Sequence, residues 1–384
     1  MSEFTLYHLD CEPSTCSLDV LARLAATRLE RIGVDWRPMA AAHGLDLDGE
    51  PIEGTRIPTR REHAFLEDAA RASGDPLFAW KLGDISIRAF GLPGYAVLNA
   101  PTVGEALDTL EAVVPAVCEA AWIHHSVDGE TAAIAYVNSD SRQNALFVLH
   151  FLLNLMRELV GPKFVATRLG LAATEREHLP LFAQQLGPPV TADVPFTFVE
   201  FPAKYLALKV EGADARLAET LRPYWQRAQA TAAKRPAVIR SRLEGAIVYR
   251  LNEGLPGLDG IAQTLRVGRS RVETELGTLG GYRTVVDDLR RRLAQAMVRR
   301  TDMTIAAIAV ALGYADASAL NSAYRRWTGE TPKADRDQHN SPSGFATQMD
   351  ASAHHPDRNH AATRDSRQLP PEWAQDRRHP ASLS

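Results

Sequence analysis

The stretch "IAAIAVALGYADASALNSAYRRWTGETP" carries side chains suited to contacts with double-stranded DNA. Ser318, Asn321 and Ser322 are short and polar, and their spacing places them on one face of a helix. Such side chains can hydrogen-bond to base edges in a major groove, while Arg325 and Arg326 at the end of the helix suit phosphates. The pattern indicates a nucleic-acid contact. A plain helical hairpin is the alternative that this stretch alone leaves open.

Two short helices with a glycine turn between them must present these side chains. Thr304 is a good N-cap for the first helix, Gly313 supplies the left-handed residue that reverses the chain, and Asp316 caps the second helix. The apolar residues of the first helix share one face: Ile305, Ile308, Ala309 and Leu312. The inward set of the second helix is Ala317, Ala319, Leu320, Ala323, Tyr324 and Trp327. The sequence therefore predicts a helix-turn-helix unit over about 304–327.

A second copy of this pattern lies upstream, in "LDGIAQTLRVGRSRVETELGTLGGY". It predicts a helix-turn-helix unit over about 258–279, with its glycine turn at Gly268, which also stands at the cap of the second helix. The side chains of its second helix that could reach DNA are Arg269, Ser270, Arg271 and Thr274. The segment between the two units is amphipathic through Val286, Leu289, Leu293 and Met297, which predicts one stiff joining helix. Units joined in this way could enter successive major grooves about 34 Å apart.

The charge of the chain is divided unevenly. The net charge is −4, but residues 1–233 carry 20 Lys and Arg against 30 Asp and Glu, whereas residues 234–333 carry 17 against 10. An acidic body joined to a basic module suggests that only the module meets a polyanion. The N-terminus has no signal-peptide pattern, the longest apolar run is too short to span a bilayer, and the three cysteines do not indicate a disulfide framework. These features favour a cytoplasmic protein.

The first 210 residues read as a mixed α/β body, with helices at its start and a hairpin at Asp128-Gly129. A helical segment containing Pro223 follows and leads into the basic module. From Asp335 onward the chain lacks any apolar period, which predicts a disordered tail. The fold class is therefore multidomain: an N-terminal mixed α/β domain, a C-terminal all-α domain with two helix-turn-helix units, and a disordered C-terminal tail.

Few residues of the N-terminal body suggest a site. His150 and Asn154 are four residues apart on an apolar helix and could line an effector pocket, although a hydrogen-bonded polar pair in the core is the other interpretation. His124 and His125 lie in a predicted strand and should point to opposite faces, which is not the geometry of a metal pair. The sequence contains none of the common nucleotide-binding, nucleophile or metalloprotease motifs. It therefore predicts no catalytic residues, no metal and no cofactor.

The C-terminal module resembles the DNA-binding domain of the AraC/XylS family of transcriptional regulators. The resemblance runs through "DLRRRLAQAMVRRTDMTIAAIAVALGYADASALNSAYRRWTGETP". The N-terminal body is similar to the arabinose-binding-type sensor domain, through "GLPGYAVLNAPTVGEALDTL" and "PFTFVEFP". The resemblance covers about 17–334 and implies an effector or dimerisation domain over 17–210 and a DNA-binding domain over 236–334. The helical linker then spans 211–235, and the predicted tail spans 335–384. It also implies operator DNA, RNA polymerase, a small-molecule effector and a second copy of the chain as partners.

Some residues depart from the family pattern. In the first unit Glu273 and Glu275 stand where Gln or Arg is common, and carboxylates close to phosphates repel them. In the second unit Leu320 replaces the usual Phe and Ser322 the usual Arg. The second unit is therefore expected to carry most of the DNA contact. The alternative is a sensor that acts through protein–protein contacts and whose DNA-binding module has partly decayed.

Overall fold

The computed structural model describes residues 16–49, 55–137, 141–172 and 188–340. The N-terminal domain opens with a two-stranded antiparallel sheet, in which β1 (Cys16–Leu18) pairs with β2 (Arg56–Pro58). Its helices are α1 (Val20–Arg31), α2 (Arg37–Ala42), α3 (Thr59–Ser73), α4 (Leu92–Leu98), α5 (Val103–Val117) and α6 (Arg142–Val160). Its remaining strands are β3 (Trp122–Asp128), β4 (Thr131–Val137), β5 (Arg168–Ala172), β6 (Val190–Val194) and β7 (Thr197–Pro202).

The larger sheet has the strand order β3-β4-β7-β5-β6, and only the β5–β6 pairing is parallel. The predicted hairpin at Asp128-Gly129 is confirmed, because β3 and β4 pair from Trp122 opposite Val137 to Asp128 opposite Thr131. Gly129 has a φ of +58°, a conformation that glycine adopts without strain. Helix α6 packs on this sheet and supplies many of the core side chains, from Ala145 to Leu159. The predicted mixed α/β domain is therefore present.

The C-terminal part is helical from α7 onward. Its helices are α7 (Ala215–Ala232), α8 (Pro236–Arg250), α9 (Leu258–Thr264), α10 (Arg269–Thr278), α11 (Tyr282–Arg300), α12 (Ile305–Ala311), α13 (Ala317–Thr328) and α14 (Pro332–Asn340). The predicted joining helix is confirmed as α11, and the four residues that define its apolar face are all buried. Because these residues contact apolar side chains of both helix-turn-helix units, the two units share one core.

The predicted start of the tail at Asp335 is wrong by six residues, since α14 continues through Asn340. Asp335 is completely buried and accepts hydrogen bonds from the Arg299 guanidinium and the Tyr324 hydroxyl. A carboxylate can be buried in this way because a cation and a hydroxyl replace its water. The sequence did not reveal this because Arg299 lies 36 residues from Asp335. The rest of the predicted tail, 341–384, lies outside the described residues.

Candidate nucleic-acid interface

The second helix-turn-helix unit has the local geometry that its sequence predicts. The Thr304 hydroxyl accepts the N–H of Ala307 at 3.1 Å, and the Asp316 carboxylate accepts that of Ala319 at 2.8 Å, so both helices are capped as expected. Gly313, with a φ of +69°, supplies the left-handed turn residue. These three predictions are confirmed.

Helix α13 divides its side chains between core and solvent. Leu320 and Tyr324 are fully buried. On the outward side Ser318, Ser322, Arg325 and Arg326 are exposed and Asn321 is half-buried. The five side chains predicted to meet DNA are therefore accessible on one helix. Such a helix can hydrogen-bond to bases along its length and to phosphates at its basic end.

A buried arginine that the sequence did not single out holds this unit onto α11. Arg290 donates to the carbonyl oxygens of Leu312 and Gly313, from Nε at 2.9 Å and from Nη2 at 2.8 Å. Its guanidinium also lies 4.4 Å from the centre of the Tyr314 ring. These bonds satisfy carbonyls that the end of α12 leaves without helical partners. Arg290 therefore fixes the turn, and with it the start of α13, against the joining helix.

The first unit turns at a different residue from the one predicted. Gly268 is the N-cap of α10, as predicted, but its φ of −69° is not left-handed, so its assignment as the turn residue is wrong. The left-handed residue is Arg266, with a φ of +54°, the only non-glycine residue with positive φ in the described ranges. The segments Ile261-Ala262-x-x-Leu265-Arg266 and Ile308-Ala309-x-x-Leu312-Gly313 have the same spacing. Aligning them places Arg266 opposite Gly313, and this signal could have identified the turn.

The outward arginines of α10 are paired with carboxylates of their own unit. Arg269 contacts Glu273 and Asp259, each at 2.8 Å, and Arg271 contacts Glu275 at 2.9 Å. Ser270 and Thr274 are exposed, but the Thr274 hydroxyl donates to the backbone oxygen of Ser270. The positive charge of this helix is thus largely neutralised.

The two glutamates of α10 differ in position. Glu273 is exposed, as expected of a side chain that could face phosphates. Glu275 is buried and pairs with Arg242 of α8 as well as with Arg271, so its assignment to the DNA-facing side is wrong. Its carboxylate joins α10 to α8, a contact between residues 33 positions apart that local sequence patterns do not reveal.

Arg266 also connects the two domains. Its guanidinium pairs with the Asp108 carboxylate on α5, lies 3.9 Å from Oε2 of Glu111, and places Nη2 3.5 Å from Nε2 of His125. Burial alone would raise the pKa of Glu111, but hydrogen bonds from His124 and His125 lower it to about 2. The two histidines alternate along β3 as expected, since the His124 ring packs against Trp122 and Tyr249 whereas Ile123 belongs to the N-terminal core, and both histidines are buried. Because β3 is an edge strand flanked by α5, both rings reach the same carboxylate, at 3.4 and 2.7 Å.

An apolar contact adds to this connection. Trp122 and Val137, from the β3–β4 hairpin, belong to the buried core of the C-terminal helices. The Trp122 ring lies so close to α8 that a Cβ at Gly245 would approach it to 2.6 Å. The Tyr249 hydroxyl of α8 donates to Oγ of Ser126 at 2.7 Å. The absence of a side chain at Gly245 thus permits the close packing of α8 against the β3–β4 hairpin.

The predicted effector residues His150 and Asn154 share a face of α6, but they contact the loop that follows α3. His150 stacks on Trp80, with ring centres 4.2 Å apart, and its Nδ1 lies 2.6 Å from the Trp80 carbonyl oxygen. Asn154 donates to the carbonyl oxygen of Gly83 at 3.0 Å and to Asp84 at 3.2 Å. Neither side chain lines the cavity described next. Their role in effector binding stays a prediction.

A cavity with an empty volume of about 770 Å³, including its open mouth, lies inside the N-terminal domain. Its wall is mostly apolar and includes side chains of α5 and α6. Two neighbouring ionisable residues of α3, Glu62 and His63, also line it, and both are buried. Burial raises the pKa of Glu62 to about 7 and lowers that of His63 to about 4. Neither residue is predicted from the sequence, because only the fold brings α3 to this cavity.

Within the described ranges, no group of three or more histidine, cysteine or acidic side chains is arranged to hold a metal ion. Among the same residues no helix combines the length and the apolar character needed to cross a bilayer.

The chain is similar to known transcription regulators along most of its length. It is 25% identical to the ornithine utilization regulator of Pseudomonas aeruginosa over 266 residues, which are 67% of this chain and 78% of that protein. It is 30% identical to the HTH-type transcriptional regulator VqsM of the same species over 94 residues, 24% of this chain and 29% of that protein. The crystal structure of the transcriptional regulator CdpR from P. aeruginosa covers 79% of this chain and 96% of its own, at 21% identity and a TM-score of 0.39.

Two family models match the two domains. Residues 33–210 match the N-terminal arabinose-binding domain of AraC transcription regulators, and residues 268–338 match a helix-turn-helix domain. The second match covers α10 to α14 almost completely, including the exposed face of α13. The chain therefore belongs to the AraC-type transcriptional regulators that carry an N-terminal arabinose-binding domain.

Proposed function

We propose that this regulator recognises its operator mainly through the second helix-turn-helix unit. The observation that carries the proposal is the contrast between the arginines of the two units. Arg269 and Arg271 pair with carboxylates of their own unit, whereas Arg325 is exposed and has no ion-pair partner within the described part of the chain. Arg326 approaches a carboxylate, that of Asp287, only at 4.0 Å. An arginine that is already paired must give up that pair before it can neutralise a phosphate.

In this proposal Ser318, Asn321 and Ser322 hydrogen-bond to base edges, while Arg325 and Arg326 contact phosphates. In the first unit Ser270 and Thr274 lie toward the backbone of the duplex. Arg269 and Arg271 of this unit contribute less to DNA affinity than Arg325 and Arg326 do. The joining helix α11 is the element that would hold the two units at the spacing of successive major grooves.

A mobility-shift titration on the DNA upstream of the gene for this chain, at two salt concentrations, tests the proposal. Arg325→Ala is expected to weaken binding to all sequences and to reduce the salt dependence by about one unit of slope. Asn321→Ala is expected to relax the preference at one base position, at a cost of about 1–3 kcal/mol for the preferred base. Arg31→Ala is the matched control, because this exposed arginine lies on α1 of the sensor domain. A shift that salt does not weaken, or an Arg325→Ala protein that binds like the control, would contradict the proposal.

We further propose that the sensor domain binds a small-molecule effector and that the chain acts as a cytoplasmic homodimer that contacts RNA polymerase at promoters. The cavity beside α3 supports effector binding, because it is enclosed largely by apolar side chains and contains few polar groups. The name of the P. aeruginosa relative contains ornithine, which is therefore one compound to test, although its carboxylate would find no lysine or arginine among the described residues of the cavity wall. The mobility shift is therefore repeated with candidate effectors. An effector that leaves DNA affinity unchanged at saturation has no regulatory coupling to it.

The paired arginines of α10 also favour a second candidate, a sensor that acts through protein–protein contacts with a weakened DNA module. Glu273→Gln discriminates between the two functions, because Glu273 is exposed and pairs only with Arg269 among the described residues. If the natural chain does not bind DNA and this substitution creates binding, the second candidate is correct. Glu275 is unsuitable for the test, because its carboxylate is buried and joins α10 to α8.

A further inference from the structure

The cavity of the sensor domain has a wall that suits an apolar ligand. Its apolar side chains include Leu110, Val113, Phe147 and Phe151 of α5 and α6, all of them buried. A sugar carries several hydroxyl groups, and each would need a hydrogen-bond partner once it has left water. This wall offers few such partners, so a polyhydroxylated ligand does not match it.

The ionisable residues around the cavity also favour an uncharged ligand. No lysine or arginine is among the described residues that line it, so a ligand carboxylate would lack a counter-ion. Among the described residues of the lining, Glu62 is the only one with an acidic side chain, and it already accepts hydrogen bonds from the Ser17 hydroxyl and from the N–H of Ala22. Its raised pKa of about 7 leaves much of it uncharged at neutral pH. The His63 ring, with a pKa lowered to about 4, is neutral there.

One polar atom of the wall has no partner among the described residues. His63 is only 4% exposed, and its buried Nδ1 forms no hydrogen bond with any of them. By contrast, the polar side chains of Tyr136 and Asn144 bond to each other at 3.1 Å. A buried ring nitrogen without a partner is costly, and a ligand hydroxyl or carbonyl group would satisfy it.

We propose that this cavity binds an uncharged, mostly apolar small molecule whose single hydrogen-bonding group contacts His63. The inference rests on the proposed function, in which the sensor domain binds an effector, and it specifies the chemical class of that effector. The polar end of the ligand lies beside α3, and its apolar body lies between α5 and α6.

The test uses three probes of equal chain length and different head group: 1-octanol, octylamine and octanoate. Each is titrated into the full chain at pH 7 by calorimetry, without DNA. We expect 1-octanol to bind about tenfold more tightly than either charged probe, because the free-energy cost of burying a charge without a partner is larger than the free energy gained from one hydrogen bond. His63→Phe is expected to weaken the binding of 1-octanol about fivefold to tenfold. This variant should fold, because it replaces an unpaired polar ring by an apolar ring of similar shape.

His43→Phe is the matched control, since His43 bonds to Asp68 outside the cavity wall and its loss should leave 1-octanol binding unchanged. Tighter binding of octylamine or octanoate overturns the proposed ligand class, and so does failure of all three probes to bind. Equal binding of 1-octanol by His63→Phe and the natural chain overturns the role of His63. None of these results decides whether the chain binds its operator, because that is measured separately by the mobility shift.

Discussion

Arg266 allows a direct measurement of the strain in the first helix-turn-helix unit. Its φ of +54° places a residue with a Cβ in the left-handed region, which costs about 1–2 kcal/mol relative to glycine. Its side chain returns part of this through ion pairs with Asp108 and Glu111, but the guanidinium is 51% exposed and the Asp108 carboxylate 54%. Pairs this accessible to solvent contribute less than about 1 kcal/mol. The ion pairs therefore offset only part of the strain.

Two substitutions separate these effects. Arg266→Ala keeps the strain and loses the ion pairs, so we expect it to lower the free energy of unfolding by about 0.5 kcal/mol. Arg266→Gly loses the same pairs but relieves the strain, so it should be about 1 kcal/mol more stable than Arg266→Ala. Urea unfolding of the full chain, followed by circular dichroism, measures the difference.

The equivalent residue of the second unit provides the reciprocal control. Gly313→Ala introduces a Cβ at φ +69°, where it would lie 3.2 Å from the Arg290 guanidinium and 3.2 Å from the Leu251 carbonyl oxygen. It should therefore destabilise the chain by at least about 1 kcal/mol. Equal stability of Arg266→Ala and Arg266→Gly would refute the assignment of Arg266 as the strained turn residue.

The remaining predictions concern buried polar groups. The pKa of Glu62 is raised to about 7, so this residue stabilises the folded state below about pH 4.5, and the stabilisation is lost as the pH rises through 7. The pKa of His63 is lowered to about 4, so this residue stabilises the folded state above about pH 6.5, and the stabilisation is lost as the pH falls through 4. Between about pH 4.5 and 6.5 the two residues therefore change the free energy of unfolding in opposite directions. In urea unfolding, His63→Phe should gain stability on acidification and Glu62→Gln should lose it, each by at most about 1.4 kcal/mol per pH unit. Parallel pH profiles of the two variants would contradict this. Arg290→Met should cost about 2–4 kcal/mol in urea unfolding, because two carbonyls lose a charged donor, while Arg283→Met, at an exposed position of the same helix, should cost less than about 0.5 kcal/mol. Asp335→Asn should cost about 3 kcal/mol in the same assay, since it removes the buried charge that pairs with Arg299, and a loss below about 1 kcal/mol would show that α14 does not depend on this contact.

The features that the sequence predicts correctly depend on neighbouring residues. The caps at Thr304 and Asp316, the turn at Gly313 and the hairpin at Asp128-Gly129 each follow from the conformational preference of one or two side chains. The amphipathic period of α11 likewise predicts its buried face. The exposed face of α13 could be predicted because the helix that presents it is regular.

The features that the sequence does not predict depend on residues far apart in the chain. Glu62 meets Ser17 across 45 positions, and Asp335 meets Arg299 across 36. Glutamate is usually found at the surface, but Glu275 is buried because its carboxylate pairs with Arg242. The left-handed conformation of Arg266 contradicts the preference of its own side chain, and only comparison with Gly313 indicates it. Tertiary contacts override local preference at each of these positions.

The insertion of Trp122 into the core of the C-terminal helices has a consequence for how this chain melts. A fragment beginning at Pro236 would lack the indole that covers Gly245 and would expose an apolar surface to water. Such a fragment should be less stable than the same residues in the full chain, and the two domains of the full chain should unfold in a single cooperative transition. DNA affinities measured on the isolated module would then reflect its partial unfolding as well as its recognition of bases.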